Sequence, residues 1–214
     1  MGATLPCGYL GGDLIDVVVG PGASTTAALI DVAGHDAGAA LVASSVLVEL
    51  HNLARTRPIV PAITALNRRM TASASELYAC VGAVQITGTH ATLLNAGLPP
   101  ITIVRNGRIA LSVQAGGIPP GIFADSTYDA VELELEPDDR LVLVSDGLTD
   151  PLGDAVDVGR CLAALDLLVP HGIRTSEEFM REFRTLFGER PLVDDATLIV
   201  IDVWQDATAA HAGP

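Results

Sequence analysis

Between Leu77 and Val113 the chain offers four apolar runs in succession: Leu77 to Ile86, His90 to Asn95, Thr102 to Arg105 and Arg108 to Val113. Only turn residues separate them, so these strands follow one another without intervening helices. That order argues against a doubly wound parallel sheet. It points to antiparallel sheets with helices packed outside, an α+β layered design.

The rest of the chain fits the same plan. Leu14 to Gly20 and Thr25 to Val32 read as a hairpin joined by Gly20-Pro21-Gly22. Ala37 to Arg55 reads as a helix with Val42, Val46, Leu50 and Leu53 at helical spacing, and Pro58 stops the next turn. Ala39, Ala40 and Ala43 would let it sit close to a sheet, and Pro61 to Met70 is a second helix. Tyr128 to Leu135 alternates Val131, Leu133 and Leu135 inward with Glu132, Glu134 and Glu136 outward, the period of a half-buried strand. Arg140 to Ser145 is a buried strand, Val158 to Leu168 and Ser176 to Phe187 are helices, and Ala196 to Val203 is the last strand. No Pro/Gly linker divides residues 1–204, so one domain is expected, with a frayed Ala-rich tail from Gln205 to Pro214.

The formal net charge of -14 would repel phosphate backbones, which excludes nucleic acid as a partner class. It serves solubility, or it reflects carboxylates gathered for cations. No secretory leader is visible, and no apolar run reaches the roughly 18 residues a membrane span needs. The three cysteines, Cys7, Cys80 and Cys161, are scattered and lack metal-type spacing. A reducing cytoplasm is the natural setting.

Acidic residues recur where strands meet turns. Asp13 starts the first strand of the hairpin and Asp31 ends the second. Asp146 ends a buried strand, and Asp194-Asp195 start the last one. A single Asp-Gly after a strand is ordinarily a turn. Four such junctions in one domain suggest side chains aimed at one point by rigid neighbours. Carboxylates brought together without cations repel and take up protons. Hard cations such as Mg²⁺ or Mn²⁺ prefer oxygen ligands and remove that cost. The pattern points to a two-metal, oxygen-ligand centre that acidifies a water.

Five segments occur in a recognisable order: Gly11-Gly12-Asp13-Leu14-Ile15-Asp16, Asp31-Val32-Ala33-Gly34-His35, Asn95-Ala96-Gly97-Leu98-Pro99-Pro100, Ser145-Asp146-Gly147-Leu148-Thr149-Asp150 and Asp194-Asp195-Ala196-Thr197. They resemble the SpoIIE-like (RsbU-like) branch of the PPM, or protein phosphatase 2C-like, metal-dependent serine/threonine phosphatases, from about Gly11 to Val203. The resemblance implies an αββα four-layer sandwich with two Mn²⁺ or Mg²⁺ ions between the sheets at one edge. It implies that Asp31 bridges both ions and that the Val32 carbonyl binds one, where many relatives carry Gly. Asp146 and Asp194 would hold the other ion, and Asp13 would serve the second directly or through water. Asp16, Asp36, Asp150 and Asp195 would stand around these ligands, Asp195 orienting ligands or waters. The implied reaction is direct attack of a metal-bridging hydroxide on the phosphorus of phosphoserine or phosphothreonine, with no phosphoenzyme. Asp31, Asp146 and His35 would be catalytic, His35 protonating the leaving oxygen.

The implied substrate is a phosphorylated signalling protein, an anti-anti-sigma factor of the STAS type in a stress or partner-switching pathway. A regulatory protein would act in trans. Two departures mark this chain. Gly34-His35-Asp36 stands where relatives read Gly-His-Gly, and Asp36 either caps the helix that begins at Ala37, adds an outer metal group, or hinders phosphate entry. Leu98 replaces a common His in a stretch that shapes the fold more than the chemistry. The competing reading is a PPM-fold binding module that turns over poorly. A cyclic-dinucleotide cyclase signature at Gly11-Gly12-Asp13 fails, because the Glu-Phe it needs does not follow.

Overall fold

The computed structural model describes residues 1–7, 11–32, 37–73, 77–149, 158–165, 167–168, 175–188 and 192–204. Ten strands form two five-stranded sheets. One sheet runs β1 (Gly2–Leu5), β10 (Ala196–Asp202), β9 (Arg140–Val144), β6 (Ile101–Arg105) and β7 (Arg108–Val113). The other runs β2 (Asp13–Val19), β3 (Thr25–Val32), β4 (Ala79–Thr87), β5 (His90–Ala96) and β8 (Ala130–Glu134). Every pairing given for them is antiparallel.

Three apolar layers hold the sandwich. Leu29, Val84, Leu93, Ile103, Leu141, Leu143 and Ile199 fill the space between the sheets. Helices α1 (Ala37–Ala54) and α2 (Ile59–Ala72) cover the outer face of the β2–β8 sheet, where Ala43, Val46, Leu50 and Ile63 pack against Ile30 and Val81. Helices α4 (Val158–Ala164) and α5 (Ser176–Phe187) cover the other sheet, with Leu162, Phe179 and Phe183 against Val142, Leu198 and Val200. A single turn, α3 (Asp146–Thr149), follows β9. The result is the expected αββα sandwich. Successive residues of a strand face opposite layers, and because both faces of each sheet are covered, β9 is buried at all of its positions.

The structure corrects several expectations. A first strand, β1, lies ahead of the hairpin and pairs with β10, from Gly2 opposite Ile199 to Leu5 opposite Ala196. Four residues are too few to show alternation, so only the partner strand reveals it. Helix α2 begins at Ile59 rather than at Pro61, because Pro is tolerated in a first turn. Helix α4 closes at Ala164, four residues before the expected end. On β8, Leu133 packs between the sheets but Val131 stays 39% exposed, because β8 is an edge strand. Helix α1 has 18 residues and a mean hydropathy of 1.4, so by length and composition one helix does reach the span threshold. Here its small and apolar face, Ala39, Ala43, Val46 and Leu50, is buried on the sheet.

Candidate metal centre

Antiparallel pairing sets Asp13 directly opposite Asp31, and Asp31 opposite Cys80 on β4. Leu14, Ile30 and Val32 pack toward the helices, whereas Ile15 and Leu29 pack between the sheets. Alternation therefore aims Asp13 and Asp31 at the facing sheet. Across the gap, β9 is followed by Ser145, which donates through Oγ to the Asp195 carbonyl at 3.1 Å and accepts the Thr197 N–H at 2.9 Å. This latch between β9 and β10 holds Asp146, the first residue of α3, beside Asp194 and Asp195, which lead into β10. Asp146 is exposed at the mouth, while Asp13 lies 6% exposed at the floor. The Val32 N–H donates to the Gly12 carbonyl at 3.3 Å, which ties the two ends of the hairpin together.

The electrostatics join these residues. Burial first, then the charges of Asp13, Asp146 and Asp194, hold the Asp31 carboxyl well above the ordinary carboxylate range. Asp13 is likewise raised by burial and by Asp195 and Asp194, although the nearby hydroxyls of Thr197 and Ser145 pull the other way. Cys80 is pushed up to about 12 by burial and by Asp31, Asp146 and Asp13, so its thiol stays protonated. One Asp13 oxygen, Oδ2, is buried without a hydrogen-bond partner. Among the described residues, no three His, Cys, Asp or Glu side chains already stand in a ligating arrangement around one point. The carboxylates share one electrostatic neighbourhood without closing into a cage.

Of the expected site residues, Asp13, Asp31, Asp146 and Asp194 are brought together, with Val32 beside them. Asp195 is buried next to them. Asp16 is not part of this group: it lies three positions along β2 from Asp13, on the opposite sheet face, where both carboxylate oxygens lie 3.1 Å from His51 Nδ1 on α1. The expected outer role of Asp16 is therefore corrected. His35, Asp36 and Asp150 lie outside the described residues. Ser145 and Thr197 were not singled out from the sequence, although both sat inside the quoted acidic motifs. Asn95 does shape the fold. Its Nδ2 donates to the Leu98 and Pro99 carbonyls at 3.1 Å each, and its Oδ1 accepts the Leu98 N–H at 3.1 Å.

A four-layer sandwich with acidic residues from both sheets at one end is the architecture of PP2C-type phosphatase domains. The PP2C phosphatase domain of Bacillus subtilis SpoIIE, solved with a fragment of its regulatory domain, superposes with a TM-score of 0.75 at 19% identity over 96% of this chain and 62% of that one. The RsbU and RsbW domains of Rv1364c from Mycobacterium tuberculosis give 0.72 at 20% identity, over 96% of this chain and 60% of that one. A serine/threonine phosphatase from S. agalactiae gives 0.72 at 17% identity, over 96% and 99%. The chain thus spans about three-fifths of the first and second of these structures. The Stage II sporulation protein E (SpoIIE) family matches residues 21–204, and the chain belongs to that family. No curated protein matches it by sequence.

Proposed function

We propose that this chain is a metal-dependent protein phosphatase acting on phosphoserine or phosphothreonine of a signalling protein. One observation carries the reading: Asp13 and Asp31, paired across β2 and β3, face Asp146 and Asp194, more than 100 residues away in sequence, which the Ser145 latch holds on the opposite sheet. The donor set suits hard cations. It is all oxygen, it costs protonation when left alone, and it keeps the Asp13 Oδ2 buried without a donor. Asp13, Asp31, Asp146, Asp194 and the Val32 carbonyl would hold two Mn²⁺ or Mg²⁺ ions. Bound there, the ions would acidify a water and draw charge from phosphoryl oxygens. The chain itself sets the geometry: β2 and β3 fix the floor, the Ser145 latch fixes the opposite wall, and exposed Asp146 marks the side from which a phosphorylated loop approaches. His35 would supply the leaving-group proton.

The resemblance to SpoIIE- and RsbU-type domains favours a STAS-type anti-anti-sigma factor as the substrate and a regulatory protein acting in trans. The second reading, a binding module with little turnover, draws on Asp36, which stands where relatives carry Gly. Hydrolysis of p-nitrophenyl phosphate separates them. The expected result is Mn²⁺-dependent turnover that falls at least about 100-fold in Asp31→Ala and Asp146→Ala. Asp16→Ala, on the other sheet face, should keep it. Absence of turnover with any divalent cation favours the binding module.

A further inference from the structure

The inference concerns Asp195 and rests on the metal-centre reading above. Asp195 is only 1% exposed, and its carboxylate is committed to main-chain donors. Oδ1 accepts the Cys7 N–H at 2.8 Å; Oδ2 accepts the Gly12 N–H at 2.6 Å and the Asp13 N–H at 3.4 Å. Its own main chain is held as well, by Ser145 Oγ on the carbonyl and by its N–H donating to Asp194 Oδ1 at 2.8 Å. Two glycines leave room for this arrangement. A Cβ on Gly11 would fall 2.4 Å from Asp195 Oδ2, and one on Gly147 would fall 2.2 Å from the Asp195 carbonyl oxygen. The acidic residue, the glycine before β2 and the glycine after Asp146 therefore form one interlocked joint.

We propose that Asp195 is the positioning residue of the centre: its carboxylate clamps the segment entering β2 onto the segment entering β10. It thereby fixes Asp13 relative to Asp194 and Asp146, although it holds no ion itself. A joint of this kind needs a carboxylate. An amide presents one acceptor oxygen, so Asp195→Asn must turn an NH₂ toward either the Cys7 or the Gly12 N–H, a donor facing a donor. The floor carboxylate would then lose its register with the opposite wall, and groups that support ligands typically cost about 10–100-fold in metal affinity when removed.

The test is calorimetric titration of Mn²⁺ into the purified chain, beside thermal melts of the metal-free protein. Asp195→Asn and Gly11→Ala should each bind Mn²⁺ about 10–100-fold more weakly than the wild type while keeping a folded circular dichroism spectrum. Asp202→Asn provides the contrast. It disturbs the pair in which Arg140 Nε donates to Asp202 Oδ1 at 2.6 Å, on β9 and β10 but outside the joint. It should lower the melting temperature and leave the Mn²⁺ affinity at the wild-type value. Should Asp195→Asn not fold, Gly11→Ala carries the same test, since it keeps the carboxylate but forces it and the loop apart. Wild-type affinity in a folded Asp195→Asn overturns the proposal, as does an equal loss in Asp202→Asn, which would make the effect one of general stability. A wild-type chain that takes up no Mn²⁺ overturns the metal-centre reading itself and this assignment with it.

Discussion

Asp31 is where the charges of both sheets meet, and this makes the acidic cluster sensitive to pH. An isolated aspartate loses its proton near pH 4. Burial and the charges of Asp13, Asp146 and Asp194 push Asp31 up to about 8, and burial pushes Asp13 up to about 7. Between these limits the folded state binds more protons than the unfolded one, so stability falls as pH rises through the window. The metal-free protein should therefore melt at a higher temperature at pH 5 than at pH 8. Saturating Mn²⁺ should flatten or reverse that slope, because the cation takes over the role of the proton. Melts in chelator and in Mn²⁺ across pH 5–8 check this, and a chelated protein more stable at pH 8 would contradict it. At this scale the sequence exposed Asp13, Asp31, Asp146 and Asp194 because each marks the seam between an apolar run and a turn. It misled at Asp16, where closeness in sequence hides an odd offset that turns the side chain to the helices. It implied that Asp195 orients ligands or waters but not what holds it, since its donors, Cys7 and Gly12, lie 188 and 183 residues away.

Among the elements, the loop after β5 shows how one buried amide can hold a connection. Asn95 is 1% exposed and satisfies the Leu98 N–H together with the carbonyls of Leu98 and Pro99. That folds Leu98 back into the layer between the sheets. Removing the side chain in Asn95→Ala strands these groups, and a buried group left unsatisfied costs about 1–3 kcal/mol. The expected outcome is a lower denaturant midpoint with Mn²⁺ affinity close to wild type, read by urea titration and calorimetry. A large loss of affinity at unchanged stability would place the loop in the site instead. Long periodic segments such as α1 and the β2–β3 hairpin were legible because their burial repeats over several turns or residues. β1 was not, and neither was the exposure of Val131, because both depend on which strand ends up at the edge of a sheet.

For the molecule as a whole, the acidic groups divide between two sheets that otherwise meet through apolar packing. A cation bound among them would link the layers and stabilise the native state by mass action, by about 2.7 kcal/mol at a free concentration one hundred times the Kd. Mn²⁺ should therefore raise the melting temperature of the wild type and leave that of Asp146→Ala nearly unchanged. Equal shifts in both proteins would mean that the ion binds elsewhere.

The strand order has a consequence for how the protein comes into being. The β2–β8 sheet and its two helices lie between Asp13 and Glu134, a stretch that also carries β6 and β7 of the other sheet, so that half has all its strands before β9 is made. The other half cannot close early, because β10, the last strand to emerge, lies inside it between β1 and β9. A nascent chain halted before Ala196 would carry Asp13 and Asp31 opposite a wall that still lacks Thr197 and the β10 side of the latch. Competence to hold ions would thus arrive in one step, when β10 takes its place between β1 and β9.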